Sequence, residues 1–490
     1  MFSHLYDRKY LFKCLLSMAF LFGLMKATGG SGFVVVIPIV LWSLLAKQTE
    51  TLFFWLLMAV CAIIINSYII PKNAMFAWSQ RSLMLGLGLC MAVNVMSYPK
   101  HSVMKPYLGI MLYLLFMIFS SSQGWCPIIS YLKLILFAVI YLSYFGVANQ
   151  VGINPTVSSK RVRSVMLSVS ILFVLGSMAV IPFPGLSQLK HEDFVNSPFT
   201  LSLFMGMTNH SQCLGPVVSS ISVVVFADLL FSIKKWDPLY ILILLCCPYL
   251  VYKTSSRTGM GAYVLGMMFV AFLFINARGV GSRWKSRAMS AIMVISFGLI
   301  FVAACMPGFQ KSVRRFLLKN ADVSSPVTSD AVISTRQGLM DRSLAYFRKS
   351  PVVGNGFQVS EKMSGLRIKG VGSVLSAPVE KGVWVTAVLE EGGIIGFVLF
   401  AGFLVSCIVM SVKRRAYTGA ACLVVCMLTN LGEFTFFSMS YTGGFTWAMV
   451  FVGLSLDVRK MRDENEALQR ELMLRDMAMR QMAGLDPFAR

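Results

Sequence analysis

Apolar segments long enough to enter a lipid bilayer recur along most of this 490-residue chain. Inside lipid no water satisfies backbone N–H and C=O groups, so each segment is restricted to a helix whose hydrogen bonds close within itself. The runs fall at residues 10–25, 33–46, 51–70, 82–98, 107–122, 127–147, 164–182, 212–231, 238–252, 260–275, 286–305, 384–412, 417–438 and 441–456. Several are shorter than the ~20 residues that a perpendicular crossing needs. The expected fold is all-α: a polytopic membrane protein with 12–14 transmembrane helices and one large extracytoplasmic loop. Composition agrees, because 57% of residues are apolar, 13% are charged and mean hydropathy is +0.72, which leaves too little polar surface for a soluble domain.

The net charge of +23 would suit a nucleic-acid binder, but the basic residues sit in short caps between apolar runs. Lys160, Arg161 and Arg163 form one cap, and Lys234 and Lys235 another. Arg278, Arg283, Lys285 and Arg287 form a third, and Lys413, Arg414 and Arg415 a fourth. The positive-inside rule places these caps and both termini in the cytoplasm, with anionic lipid head groups as the bulk partner and no nucleic acid. Arg8 and Lys9 precede the first run, which reads as a membrane helix rather than a cleaved leader because further spans follow. The 11 cysteines lie in or beside apolar runs without ligand spacing, so they read as packing residues, and neither a metal nor a cofactor is expected.

This pattern divides the chain into N-terminal membrane helices (1–163), membrane helices bearing outer-face motifs (164–305), a large periplasmic loop (306–383), C-terminal membrane helices (384–456) and a cytoplasmic helical tail (457–490). Val458, Met461, Asn465, Leu468, Leu472, Met479 and Met482 keep a heptad spacing in the tail, interrupted by Arg475, which suggests self-association or an envelope-assembly partner. The loop from Met306 to Val383 is the one long polar interruption, with 12 Lys/Arg against 5 Asp/Glu. Loops supply catalytic groups that a lipid-facing helix cannot, so the chemistry is expected there. Within it Phe309, Val313, Phe316 and Leu317 form an amphipathic stripe suited to the membrane surface.

Four polar elements fall on the expected outer face. Ser255-Ser256-Arg257-Thr258-Gly259 puts an arginine at a helix end, where its forked donors fit a phosphate, or where it anchors the helix at the interface. A helix from Arg336 to Arg348, stopped by Pro351, feeds the tight turn Gly354-Asn355-Gly356, whose glycines admit a ligand or a neighbouring loop. Glu380 and Lys381 stand where the loop re-enters the membrane, a place suited to a carboxylate acting as general base, although a solvated loop acid is the plain alternative. Glu390 and Glu391 lie inside the next apolar run and need protein, water or a cation to face. His210, at the start of another span, reads as a cap or as a site residue, and Glu433 completes the membrane-level ionisable groups on this side.

Taken in order, these elements resemble the O-antigen ligase/polymerase superfamily of bacterial membrane glycosyltransferases, over residues 206 to 456. The resemblance rests on His210-Ser211-Gln212-Cys213-Leu214-Gly215, on Ser-Arg-Thr-Gly at Arg257, and on Arg336, fifteen residues before Pro351. The P-x-x-G-x-G of Pro351 to Gly356 and the E-x-G-x-x-G of Glu391, Gly393 and Gly396 complete it. It implies a bacterial inner-membrane enzyme, metal-independent, that moves glycan from an undecaprenyl-pyrophosphate donor to a sugar hydroxyl of a lipid-linked acceptor. Ligases of this family carry a His-Asn pair upstream of that last motif, where this chain reads Glu380-Lys381-Gly382-Val383, so the polymerase subtype is favoured over the ligase.

On that resemblance Arg257 and Arg336 hold the donor pyrophosphate and Glu380 accepts the proton of the attacking hydroxyl. Lys381, Arg342, His210, Glu433, Gly354 and Gly356 are expected to contact or shape the substrate. A transporter or flippase for the lipid-linked glycan is the alternative of a different class, but no internal repeat supports it.

Overall fold

A computed structural model of the chain describes residues 6–95, 103–188, 204–232, 237–277, 329–363, 381–432, 434–438 and 442–482. Glu380, Glu433, the stripe at 309–317, the run at 286–305 and the caps at 234–235 and 278–287 lie outside the described residues. Within them the regular structure is helical: α1 (Arg8–Ala27), α2 (Val36–Leu45), α3 (Thr49–Ile64), α4 (Ala74–Val95), α5 (Ile110–Ser122), α6 (Pro127–Ile153) and α7 (Ser159–Ala179). There follow α8 (Ser211–Ser232), α9 (Pro238–Lys253), α10 (Arg257–Asn276), α11 (Ser329–Lys349), α12 (Trp384–Lys413), α13 (Tyr417–Thr429) and α14 (Thr442–Met482). Seven described helices are long and apolar enough to cross a membrane, and four shorter ones are apolar too. The all-α membrane architecture is thus borne out, with seven span-length helices described where 12–14 were expected over the whole chain.

Local chemistry sets the helix starts. The side chains of Asp7, Ser158, Asp237 and Ser256 each accept an N–H from the first turn of α1, α7, α9 and α10. Pro127 and Pro238 occupy first-turn positions, where a missing N–H costs nothing. Helix α8 is the hub, buried over most of its length and packed against α9, α10, α13 and α14. Its serines return their hydroxyls to the helix's own carbonyls: Ser219 Oγ donates to Gly215 O at 2.7 Å and Ser220 Oγ to Pro216 O at 2.9 Å. Polar atoms are thereby satisfied without breaking the apolar surface.

Helices α8 and α10 run parallel and almost touch. A Cβ on Gly259 would lie 2.8 Å from Gly215 Cα, and one on Gly215 would lie 2.8 Å from Ser256 Cβ. Small residues allow this approach, which replaces the hydrophobic drive that lipid cannot supply between helices.

The far end of the bundle is tied by charge. Arg163, read from sequence as part of a basic cap, is buried, and its Nε donates to Asp228 of α8 at 2.9 and 3.2 Å. Tyr240 OH donates to the same carboxylate at 2.7 Å. Arg459, Lys460 and Arg462 of α14 donate to the carbonyls of Asn154, Phe231 and Ile153, which neutralises the C-terminal ends of α6 and α8. Asp457 accepts the Gly419 N–H at 2.9 Å and so caps α13. Beyond Arg462, α14 continues as one exposed helix with Leu468, Leu472 and Met479 uncovered.

Two stability results follow. Gly259→Val should lower the thermal midpoint of the detergent-solubilised protein by an amount equivalent to about 1–3 kcal/mol of overpacking, whereas Gly261→Ala, with open space around it, should leave it unchanged. Asp228→Ala should cost about 3–5 kcal/mol by stranding a buried guanidinium. Combining it with Arg163→Met should restore part of that loss. Equal midpoints for the single and double variants would show that the pair does not hold the helices.

Candidate functional site

The parallel course of α8 and α10 brings two helix N-termini to one end of the bundle. Ser256 caps the first and His210 the second of these ends, α10 and α8, and each carries the positive end of a helix dipole. Arg257 is the first residue of α10 and is half-buried. Thr258, next to it, packs so tightly onto Gly432 that a Cβ there would fall 1.7 Å from Thr258 Oγ1.

A short chain of contacts links this point to α11. The Phe434 N–H donates to Gly382 O at 3.0 Å, and the Trp384 N–H donates to Asn430 O at 3.1 Å. Gly382 (φ +80°) rests on Leu339 and Met340, and Ser343 Oγ donates to Lys381 O at 3.3 Å. Leu339, Met340 and Ser343 follow Arg336 at i+3, i+4 and i+7, so they share its helix face. Arg336 and Arg257 are close enough that the charge of one acts on the other.

The support for this arrangement is a kink in α12. At Gly393 the backbone takes φ +61°, ψ −161°, a region essentially restricted to glycine, and the helical hydrogen bonds around it are lost. The segment from Pro351 to Gly356 restores them. The Asn355 N–H donates to Glu390 O at 2.9 Å, the Gly356 N–H donates to Glu391 O at 3.0 Å, and the Ile394 N–H donates to Pro351 O at 2.9 Å. Asn355 Nδ2 adds a second bond to Glu390 O, and Ser120 Oγ one to Glu391 O. Gly354 (φ +75°) must be glycine, since a Cβ would meet Glu391 O at 2.2 Å. The P-x-x-G-x-G and E-x-G-x-x-G elements are thus two halves of one joint.

The side chains of the same two glutamates hold Lys381, further along the chain. Lys381 Nζ lies 3.0 Å from Glu390 Oε1 and 3.0 Å from Glu391 Oε1, and all three side chains are at most 3% exposed. These are charge contacts without the alignment of full hydrogen bonds. Burial pulls the Lys381 ammonium down, but the two carboxylates outweigh it and hold it above the ordinary lysine range. Lys133 of α6, also buried, donates to Gln358 O at 3.0 Å and interacts electrostatically with Glu391. Two ammonium groups and two carboxylates balance.

The geometry bears on several of the expected site residues. Lys381 was expected to reach a phosphate, but its ammonium is enclosed by two carboxylates. Gly354 and Gly356 were expected at substrate, but they make the approach to the α12 kink and to Ser130 and Val359. Arg342 is exposed and lies on a different face of α11 from Arg336. His210 uses its Nδ1 to accept the Gln212 N–H at 3.1 Å, which caps α8. Glu380 and Glu433 lie outside the described residues, although their neighbours Lys381, Gly432 and Phe434 belong to the contacts above. Among the described residues no cluster of three or more His, Cys, Asp or Glu has metal-binding geometry. Sequence reading passed over Lys133, although a lone lysine within the apolar run at 127–147 is itself a signal of a buried partner.

A scan against protein-family models and a search of curated proteins return no match to this chain.

The joint gives a direct test. Gly393→Ala forces a Cβ against Val352 O at 2.3 Å and into a disfavoured backbone region. It should cost about 1–3 kcal/mol and speed proteolysis of the segment around Pro351 in membranes. Unchanged melting and cleavage would mean that the kink does not hold the loop.

Proposed function

We propose that this protein is a polysaccharide polymerase of the O-antigen ligase/polymerase type, acting on the outer face of a bacterial inner membrane. The carrying observation is that Arg257, which opens α10, and Arg336 of α11 lie within range of each other's charge. Arg257 at the start of α10 and Arg336 on α11 offer two forked cations, which suit a diphosphate better than a single lipid head group.

In this reading the two guanidinium groups grip the pyrophosphate of a polyprenyl-linked glycan. The acceptor hydroxyl oxygen attacks the anomeric carbon of the donor sugar, and the bond from that carbon to the phosphate oxygen breaks. Its electron pair leaves on the pyrophosphate, where Arg257 and Arg336 stabilise the growing charge. The hydroxyl proton passes to Glu380 as general base. Lys381, locked to its carboxylates, takes no part in binding. A ligase would share these steps and differ in its acceptor, lipid A–core sugar. A flippase draws support from the buried charges of α6 and α12, but those charges satisfy one another and leave none for a passing substrate.

Reconstitution in vesicles with lipid-linked repeat units tests the proposal. Wild-type protein should lengthen the glycan and release polyprenyl pyrophosphate, and Arg257→Glu or Arg336→Glu should lower the rate by at least ~10²-fold at equal protein abundance. Activity retained in both variants would remove the arginines from the site. Redistribution of substrate across the bilayer without lengthening would indicate transport instead.

A further inference from the structure

The buried charge cluster raises a separate question. Glu390 and Glu391 bind the same polypeptide segment twice, through their carbonyls to Asn355 and Gly356 and through their carboxylates to Lys381. Both feet of the segment therefore stand on one kink. The second foot also carries helix α11, because Lys381 O accepts from Ser343 and Gly382 bears on Leu339 and Met340. Arg336 is on that same face, one turn away.

We infer that Lys381 is a positioning residue, whose clasp on Glu390 and Glu391 fixes α11, and with it Arg336, relative to α10. Its catalytic consequence rests on the function proposed above; its geometric content does not. Without the Lys381 charge, the cluster keeps two carboxylates against the single ammonium of Lys133. Loss of the ammonium also removes the tie that holds the Lys381–Gly382 foot to α12, and the start of α11 shifts away from α10.

A distance measurement separates this role from chemistry. Gly338 of α11 and Gly261 of α10 both have open space around them and accept a substituent without a clash. Gly338→Cys and Gly261→Cys would carry nitroxide labels in the full chain in lipid nanodiscs, with Cys90, Cys126, Cys213, Cys246 and Cys305 replaced by alanine. Pulsed electron resonance should give one narrow distance for the otherwise wild-type protein and a longer or broader one for Lys381→Met. Lys381→Arg, which keeps the charge, should restore the narrow peak. Should Lys381→Met alone not fold, Lys381→Met with Glu390→Gln leaves a balanced Lys133–Glu391 pair and should still show the broad peak.

Transfer by these variants should fall on the order of 10²-fold, through kcat with little change in the KM for acceptor. A wild-type distance in folded Lys381→Met, alone or with Glu390→Gln, would overturn the inference whatever the transfer rate does. A broadened distance supports it even where no transfer is seen in the wild type, an outcome that would count against the proposed function alone.

Discussion

The arrangement depends on two backbone carbonyls. A helix that kinks inside an apolar bundle strands the acceptors it would have used, and lipid offers nothing in exchange. In α12 the stranded carbonyls of Glu390 and Glu391 are taken by the amides of Asn355 and Gly356. The exchange works only because three glycines, Gly354, Gly356 and Gly393, adopt positive φ and let two backbones meet. Every later contact, from the Lys381 clasp to the placing of Arg336, is built on this joint.

Charge is handled in the same way at both ends of the molecule, by mutual satisfaction rather than exposure. At one end Arg163, Asp228 and Tyr240 form a closed group, and Arg459, Lys460 and Arg462 occupy helix C-terminal carbonyls. At the other, Lys133 and Lys381 face Glu390 and Glu391. Arg257 and Arg336, on separate helices, lie within range of each other's charge.

The sequence was most legible where a single physical rule dominates. Apolar runs forced helices, and Pro351 with Gly354 and Gly356 marked a tight turn, as found. Side-chain roles were less legible, because they depend on what lies across a gap in the chain. Lys381 next to Glu380 looks like a cation available to phosphate until Glu390 and Glu391 fold back upon it. Arg163 sits in a basic run with Lys160 and Arg161, and nothing local shows that Asp228, 65 residues away, will bury it. Arg342 and Arg336 look equivalent along the chain, yet helical periodicity separates their faces.

Imaging the wild-type protein in nanodiscs by electron cryo-microscopy, with and without inorganic pyrophosphate, tests the central claim most directly. The account predicts one added density that touches the guanidinium groups of both Arg257 and Arg336 while the Glu390 and Glu391 joint stays closed. Guanidinium groups too far apart for one diphosphate to bridge, or density that binds elsewhere and leaves both arginines untouched, would contradict it.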